Sequence, residues 1–480
     1  MSRSSIRRHL AILAFCFALV ACSSPPAGGT SATQPPAAPT EAAPPANAAP
    51  APRQPISGGP TLLRDDITLR RVGPAGAGSI RLAQNPQDGA VYALHSGNGL
   101  KRINLETGAV SQATSLSTLV GDATPAGMAF GPDGTLYVVA NRGDGKRNVG
   151  IIRRGSPGDA SSWVTLAETE PYPLSGTNFD HLFNGVVVSP DGAWVYVNSG
   201  SRTDHGEVQD NDGTFPGERE SPLTSRIFRL PTDGSGITLP NDEEAVAPYV
   251  FARGTRNAYD LAFAPNGDLF AVDNGPDADF PDELNWLREG HHYGFPWRFG
   301  NFDNPQRLPG YDPSADGRLS RDFVAVQTGT YRDDPDFPEP PQEFTDPVAN
   351  NGPAAAVYRS EDGQERDAAA DGESLYTFTP HRSPLGLLFA TGEALPADLR
   401  SDERSLSAFV LSWGAAGGNL SDKGQDLLHL TLTKGDEGYS AVTTQVARDF
   451  KRPIDALLIA NKLYVLEFDG QAIVWELSFE

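Results

Sequence analysis

The chain has almost no cysteine. Its 480 residues contain two, Cys16 and Cys22, so no disulfide framework can staple the body of the protein. A domain built that way must be held by a large hydrophobic core. Positive charge is also scarce. The 38 Lys and Arg stand against 61 Asp and Glu, and the net charge of −23 repels nucleic acid and anionic headgroups. The apolar run over residues 10–20 is far shorter than the ~20 residues that a spanning helix needs. There is no Gly-rich phosphate loop, no Cys-x-x-Cys pair and no Gly-x-Ser-x-Gly elbow. Those absences exclude P-loop, thioredoxin-type and α/β-hydrolase chemistry.

Glycine and proline, in contrast, are abundant, with 50 and 41 copies, and point to many short strands and turns. The chain opens with Arg3, Arg7 and Arg8, then the short apolar run, then Leu19-Val20-Ala21-Cys22. This is the layout of a secretory signal, and its end resembles the lipobox of bacterial lipoproteins. The expectation is a signal over 1–21 and a lipidated Cys22; the plainer alternative is an ordinary signal with a free thiol at Cys22. Ser23 rather than Asp after the cysteine implies, by the same analogy, the outer membrane facing the periplasm. Residues 22–57 are nearly all Ser, Pro, Ala, Gly, Thr and Gln, the composition of a disordered tether. The folded domain is expected over 58–480.

A loose repeat runs through that domain. Asn85-Pro86-Gln87-Asp88-Gly89 precedes Val91-Tyr92-Ala93-Leu94, and Gly131-Pro132-Asp133-Gly134 precedes Leu136-Tyr137-Val138-Val139. Ser189-Pro190-Asp191-Gly192 and Ala264-Pro265-Asn266-Gly267 head similar runs, and Ala460-Asn461-Lys462 does so without proline. Proline presets φ for a tight turn and glycine supplies a positive φ. Hairpins recurring every roughly 45 to 75 residues predict an all-β, six-bladed β-propeller with long inserts. A pair of β-sandwiches is the alternative. Residues 282–289 are read as one short helix, and residues 301–370 as an inserted loop.

Three segments carry candidate chemistry: Asp180-His181 before one repeat strand, Arg256-Asn257 before the next, and the run from Asp273-Asn274-Gly275-Pro276 to Tyr293-Gly294-Phe295-Pro296. Loops ahead of a propeller's inner strands gather at one mouth of the central channel. There a histidine beside a carboxylate is a candidate general base. An arginine beside an amide offers a fork to an anion. Backbone carbonyls with nearby acids offer the hard oxygens that calcium takes. Each has a plainer reading: a surface histidine, a loop ion pair, an acidic turn.

The run over 253–301 resembles the soluble quinoprotein glucose/sorbosone (aldose sugar) dehydrogenases, which depend on pyrroloquinoline quinone (PQQ). Their Gly-Leu-Arg-Asn-Pro, Asp-Glu-Leu-Asn and Tyr-Gly-Trp-Pro motifs meet Gly254-Thr255-Arg256-Asn257-Ala258, Asp282-Glu283-Leu284-Asn285 and Tyr293-Gly294-Phe295-Pro296. His381-Arg382-Ser383-Pro384 and Lys451-Arg452-Pro453 also match, and the likeness spans about residues 70 to 480. The resemblance implies a propeller with PQQ and calcium at the mouth. His181, beside Asp180, takes the substrate hydroxyl proton while hydride passes to PQQ. Arg256 stabilises the developing negative charge. Asn257, His381, Arg452 and Tyr259 contact the cofactor, Tyr259 standing where the family has Gln. The carbonyls of Gly275 and Pro276 ligate a catalytic calcium, and Asp282, Glu283 and Tyr293 a structural one.

Two departures are plain. Ser201 stands where the family often has an acid supporting the base. Ser412-Trp413-Gly414 stands where a basic residue is expected, with Lys423 nearby. The activity implied is a membrane-tethered periplasmic dehydrogenase of sugars or related alcohols and aldehydes. The partners are a small-molecule substrate and an electron acceptor, with no nucleic acid. The rival reading is a non-catalytic, or lactonase-like, calcium-binding propeller that serves as a binding module.

Overall fold

The repeated turns are hairpins, as read from the sequence. In one of them Gly134 takes φ 82° and its N–H closes on the Gly131 carbonyl at 3.0 Å. The turn without proline or glycine puts Ala460 itself at φ 54°. The computed structural model describes residues 57–480 except 392, 393, 415–418 and 437. The expected signal, the expected lipidation site Cys22 and most of the expected tether lie outside the described residues. Among the described residues no helix is long and apolar enough to cross a membrane.

Pro60–Glu480 forms one compact unit. It is a six-bladed propeller whose inner strands are Ser79–Gln84, Thr124–Phe130, Phe183–Val188, Ala258–Phe263, Pro384–Phe389 and Pro453–Ile459. Each packs on the next, and the last returns to the first, so the ring closes. Closure of the sheet order is shared by the two ends of the domain: Ile67–Pro74 pairs with Ile473–Phe479 and completes the last blade. That pairing leaves no open edge between first and last blades. Apolar faces of neighbouring blades form the core, for example where Phe270 of the fourth blade meets Phe389 of the fifth at 5.3 Å.

Residues 282–289 are not a helix. Glu283–Leu287 is the third strand of the fourth blade, paired with Leu269–Asp273. Pairing with a neighbouring strand has overridden local preference. The insert between the fourth and fifth blades is longer than expected, running from 288 to 383 with two short hairpins.

All six inner strands share one feature that the sequence did not show. Each has a register shift close to its start, as between Ser79 and Arg81, Ala258 and Asp260, or Pro453 and Asp455. Such bulges bend a strand and re-aim the residues before it. Here they set the mouth segments at a common angle. Asp260 and Asp455 use the bulge to reach the next blade, accepting from Leu387 N–H at 2.9 Å and Leu82 N–H at 2.6 Å. Arg81 lies between them, 3.9 Å from Asp260 and over the Tyr259 ring at 4.0 Å. A cavity of about 420 Å³ opens beside this group at the turn end of the channel, lined by Pro86, Pro132 and Pro190. It is at the opposite end from the candidate chemistry.

One arginine faces two buried acids. Burial pushes Asp455 up to about 7, Arg81 opposing and Asp260 reinforcing the shift. An acid raised in the folded state stabilises most below its unfolded value near 3.8, and that contribution is lost as pH rises through about 7. Asp455→Asn keeps an oxygen for Leu82 and removes the titration. Its melting temperature should therefore fall less steeply than the wild type's between those pH values; parallel curves would contradict the assignment.

Candidate functional site

The mouth at the start of the inner strands gathers most of the candidate residues. His181 precedes Phe183, Arg256 and Asn257 precede Ala258, His381 precedes Pro384, and Arg452 precedes Pro453. The first two segments are tied to the loop after Trp194–Ser199. His181 N–H donates to the Ser201 carbonyl at 2.9 Å, and Ser201 N–H to the Arg256 carbonyl at 2.6 Å. Close approach requires glycine at 200, where a Cβ would come within 2.4 Å of the His181 Cβ.

His181 is partly buried, and its Nδ1 lies 3.0 Å from the buried Ser201 hydroxyl. Burial, and then the Arg256 charge, pull the imidazole down to about 3, so it is neutral across the physiological range. Asp180 does not support it. Its carboxylate turns the other way and accepts from the N–H groups of Ser175 and Gly176 at 2.8 and 3.1 Å. Asp180 closes the turn that precedes it, so adjacency in sequence does not bring its carboxylate to the His181 ring.

Arg256 is held on three sides. It donates to the Asp204 carboxylate and carbonyl, both at 2.7 Å, and to the Asn274 carbonyl at 3.1 Å. Asp204 is wholly buried and also meets His205 Nδ1 at 2.7 Å and Asp277 N–H at 2.9 Å. Burial alone would raise its carboxyl, but Arg256 and His205 hold it down to about 2. His205 in turn stacks on Tyr331 of the insert at 3.7 Å. Asp204 was not among the expected site residues, although Asp204-His205-Gly206-Glu207 is an unusually charged run in sequence. Glu220 anchors the same loop, accepting from the N–H groups of Arg202 and Thr203, both at 2.9 Å.

Asn257 accepts at 2.8 Å from Asn184, which accepts at 2.7 Å from Asn198, an amide ladder along the mouth. His381 donates to Asp279 at 2.9 Å, and Phe323 of the insert packs on its ring at 4.6 Å. Tyr259 departs from expectation. Its ring belongs to the channel group under Arg81 rather than to the mouth, because it is the bulged residue between Ala258 and Asp260. Arg452 sits at the rim over Trp413 at 5.4 Å, with Asp469 at 3.6 Å, apart from the Arg256 network.

The calcium candidates separate into two groups. Asp282 accepts from Gly275 N–H at 2.7 Å and Ser383 N–H at 2.8 Å, fixing the Gly275-Pro276 turn. Asp273 accepts from the N–H groups of Arg256 and Asn257, and burial pushes it up to about 7. The buried Asn274 Oδ1 beside them has no hydrogen-bond partner. Raised carboxyls and an orphaned hard oxygen are the donor set that a cation satisfies. The side chains of Asp282, Glu283 and Tyr293, in contrast, each turn to separate partners. Glu283 turns to Gly300 N–H and Asn285, and the Tyr293 hydroxyl is engaged by Trp286 and Arg288 at 2.6 and 2.8 Å. Among the described residues no three His, Cys, Asp or Glu side chains converge as a metal cluster.

The gap at Ser412 is filled by Arg382, whose guanidinium reaches the Ser412 hydroxyl at 3.2 Å. Its charge is neutralised by Asp422 and, at 2.5 Å, by Asp426.

Comparison with known proteins adds the following. A family model described as Glucose / Sorbosone dehydrogenase matches residues 129–303. Quinoprotein glucose dehydrogenase B of Acinetobacter calcoaceticus is 26% identical over 226 residues, 41% of this chain and 45% of that protein. The chain thus spans under half the length of that curated relative. The soluble aldose sugar dehydrogenase of Escherichia coli superposes with a TM-score of 0.52 over 86% of this chain and all of that one, at 16% identity. A second glucose dehydrogenase structure gives 0.53 over 86% of this chain and 99% of that one, also at 16%. The two structures share the fold. Residues 129–303 of this chain, which include His181, Arg256 and Gly275-Pro276, are thus similar in sequence to the glucose/sorbosone dehydrogenase family.

Proposed function

We propose that the chain is a PQQ- and calcium-dependent dehydrogenase of sugars or related alcohols and aldehydes. The carrying observation is that the neutral His181 imidazole and the Arg256 guanidinium are joined through Ser201 at one channel mouth. The residues present suit both groups. The orphaned Asn274 Oδ1 and the Gly275-Pro276 turn suit calcium, while Asn257, Arg452 and Arg256 supply donors for cofactor carboxylates. The chemistry such a cofactor supplies when bound is acceptance of a hydride, with calcium as Lewis acid. His181 takes the hydroxyl proton of the substrate. Arg256, fixed by Asp204, presents positive charge without reorganising. The insert, through Phe323 and Tyr331, packs on His381 and His205 at one side of the mouth.

The test is reconstitution. Purified apo-protein given PQQ and calcium should gain dye-linked oxidation across a panel of aldoses, polyols and aldehydes. Inactivity with no PQQ binding would replace this reading by the binding module, which the neutralised Arg382 favours. Chelation should lower the melting temperature, because a ligand of the folded state alone stabilises by mass action. An unchanged melt after confirmed metal removal would count against calcium.

We also propose lipid anchoring at Cys22 in the outer membrane, facing the periplasm, from the lipobox-like Leu19-Val20-Ala21-Cys22. Cys22→Ser should abolish palmitate labelling and accumulate precursor. Labelling as in the wild type would refute it.

A further inference from the structure

We propose that Ser201 is a positioning residue that locks His181 in the tautomer with a proton on Nδ1 and a bare lone pair on Nε2. The functional consequence rests on the dehydrogenase reading; the tautomer does not. The Ser201 hydroxyl has one hydrogen, and its oxygen lies 2.7 Å from the Thr203 carbonyl oxygen. Two oxygens at that distance repel unless a hydrogen lies between them, and a carbonyl has none to give. The Ser201 hydrogen is therefore committed to Thr203. Toward His181 Nδ1, at 3.0 Å, the serine oxygen can only accept, so Nδ1 carries the proton.

The support beneath this contact is rigid. Ser201 is 1% exposed, and both its backbone N–H and its carbonyl are bonded to the Arg256 and His181 segments. Thr203 is fixed by Glu220 through its N–H at 2.9 Å and its hydroxyl at 2.5 Å. The carbonyl that receives the serine proton is thus itself held in place.

A neutral hydroxyl also suits the charges present. The charged groups facing His181 are Arg256 and Asp204, paired with one another at 2.7 Å, and the guanidinium has the larger influence on the ring. A carboxylate at 201 would add a negative charge close to Asp204 and would attract a second proton to the imidazole. Serine orients the ring without that attraction, and the base stays unprotonated in acid solution.

The experiment is long-range proton–nitrogen NMR of the imidazole in the full-length apo-protein, with His181→Ala used to assign the signals. The wild type should show a protonated Nδ1 and an unprotonated Nε2. Ser201→Thr should preserve both, whereas Ser201→Ala should lose the single tautomer. Ser201→Asp should keep Nδ1 protonated and move the His181 titration up by about one pH unit or more. In the reconstituted enzyme Ser201→Ala should lose about 10-fold or more in kcat with KM little changed, and Ser201→Thr should recover it. A wild-type Nε2–H signal, or an alanine variant with the wild-type tautomer and titration, would overturn the proposal. If reconstitution fails while the spectra behave as described, it is the dehydrogenase reading that falls.

Discussion

Replacing His181 by alanine should cut turnover of the reconstituted enzyme by about 100-fold or more, the usual scale for a lost general base. The cofactor should still bind, because the expected contacts from Asn257 and Arg452 do not pass through His181. Arg256→Ala should behave differently. Its guanidinium touches the carbonyl before Gly275 as well as Asp204, so its loss should weaken cofactor binding and rate together. The contrast is read by titrating PQQ into each apo-variant and then measuring turnover at saturation. Equal losses of turnover and of binding in His181→Ala would assign the histidine to binding instead. The pH dependence follows from the same geometry. With burial and Arg256 holding His181 down to about 3, no acid limb from this group should appear between pH values of about 5 and 8.

What the sequence made legible follows from which interactions are local. The propeller was readable because each blade repeats its own hairpin, and a Pro-Asp-Gly turn before an apolar run declares itself within a dozen residues. His181, Arg256, Asn257 and the Gly275-Pro276 turn were readable because each immediately precedes or follows such a strand. Three features were not. The bulges near the start of the inner strands depend on how six strands crowd around one axis, which no single blade contains. The strand Ile67–Pro74 finds its partner at the other end of the chain. The pairings of acids with bases also escaped. Asp180 is adjacent to His181 in sequence, yet it caps its own loop, while Asp204 crosses from one blade to the next to meet Arg256. The segments that reach the mouth could be listed from sequence, but the partners of their side chains are set by blade-to-blade contact.

The Asp204 pairing carries the largest expected effect on stability. Asp204 is a fully buried carboxylate between two bases, Arg256 and His205. Removing one member of a buried ionic group leaves the others desolvated and unpaired, at a cost of about 3–5 kcal/mol. Asp204→Ala should therefore lose that much in urea unfolding, with or without cofactor. Asp204→Asn, which keeps an acceptor oxygen but no charge, should fall between the alanine variant and the wild type. The pH sign is fixed by the direction of the shift. A carboxyl held at about 2 when folded, against 3.8 otherwise, stabilises fully above its unfolded value, and that contribution is lost as pH falls through about 2. The alanine variant should thus shed part of the wild type's acid sensitivity. Arg256→Ala alone should also destabilise, since it leaves Asp204 with His205 as its one cationic partner. The double variant should then cost less than the sum, with a coupling of roughly 0.5–3 kcal/mol, because the second change removes a charge that the first had stranded. Strict additivity in that cycle would mean that the two side chains do not depend on each other. Arg256 would then have to be positioned by its carbonyl contacts to Asp204 and Asn274 alone.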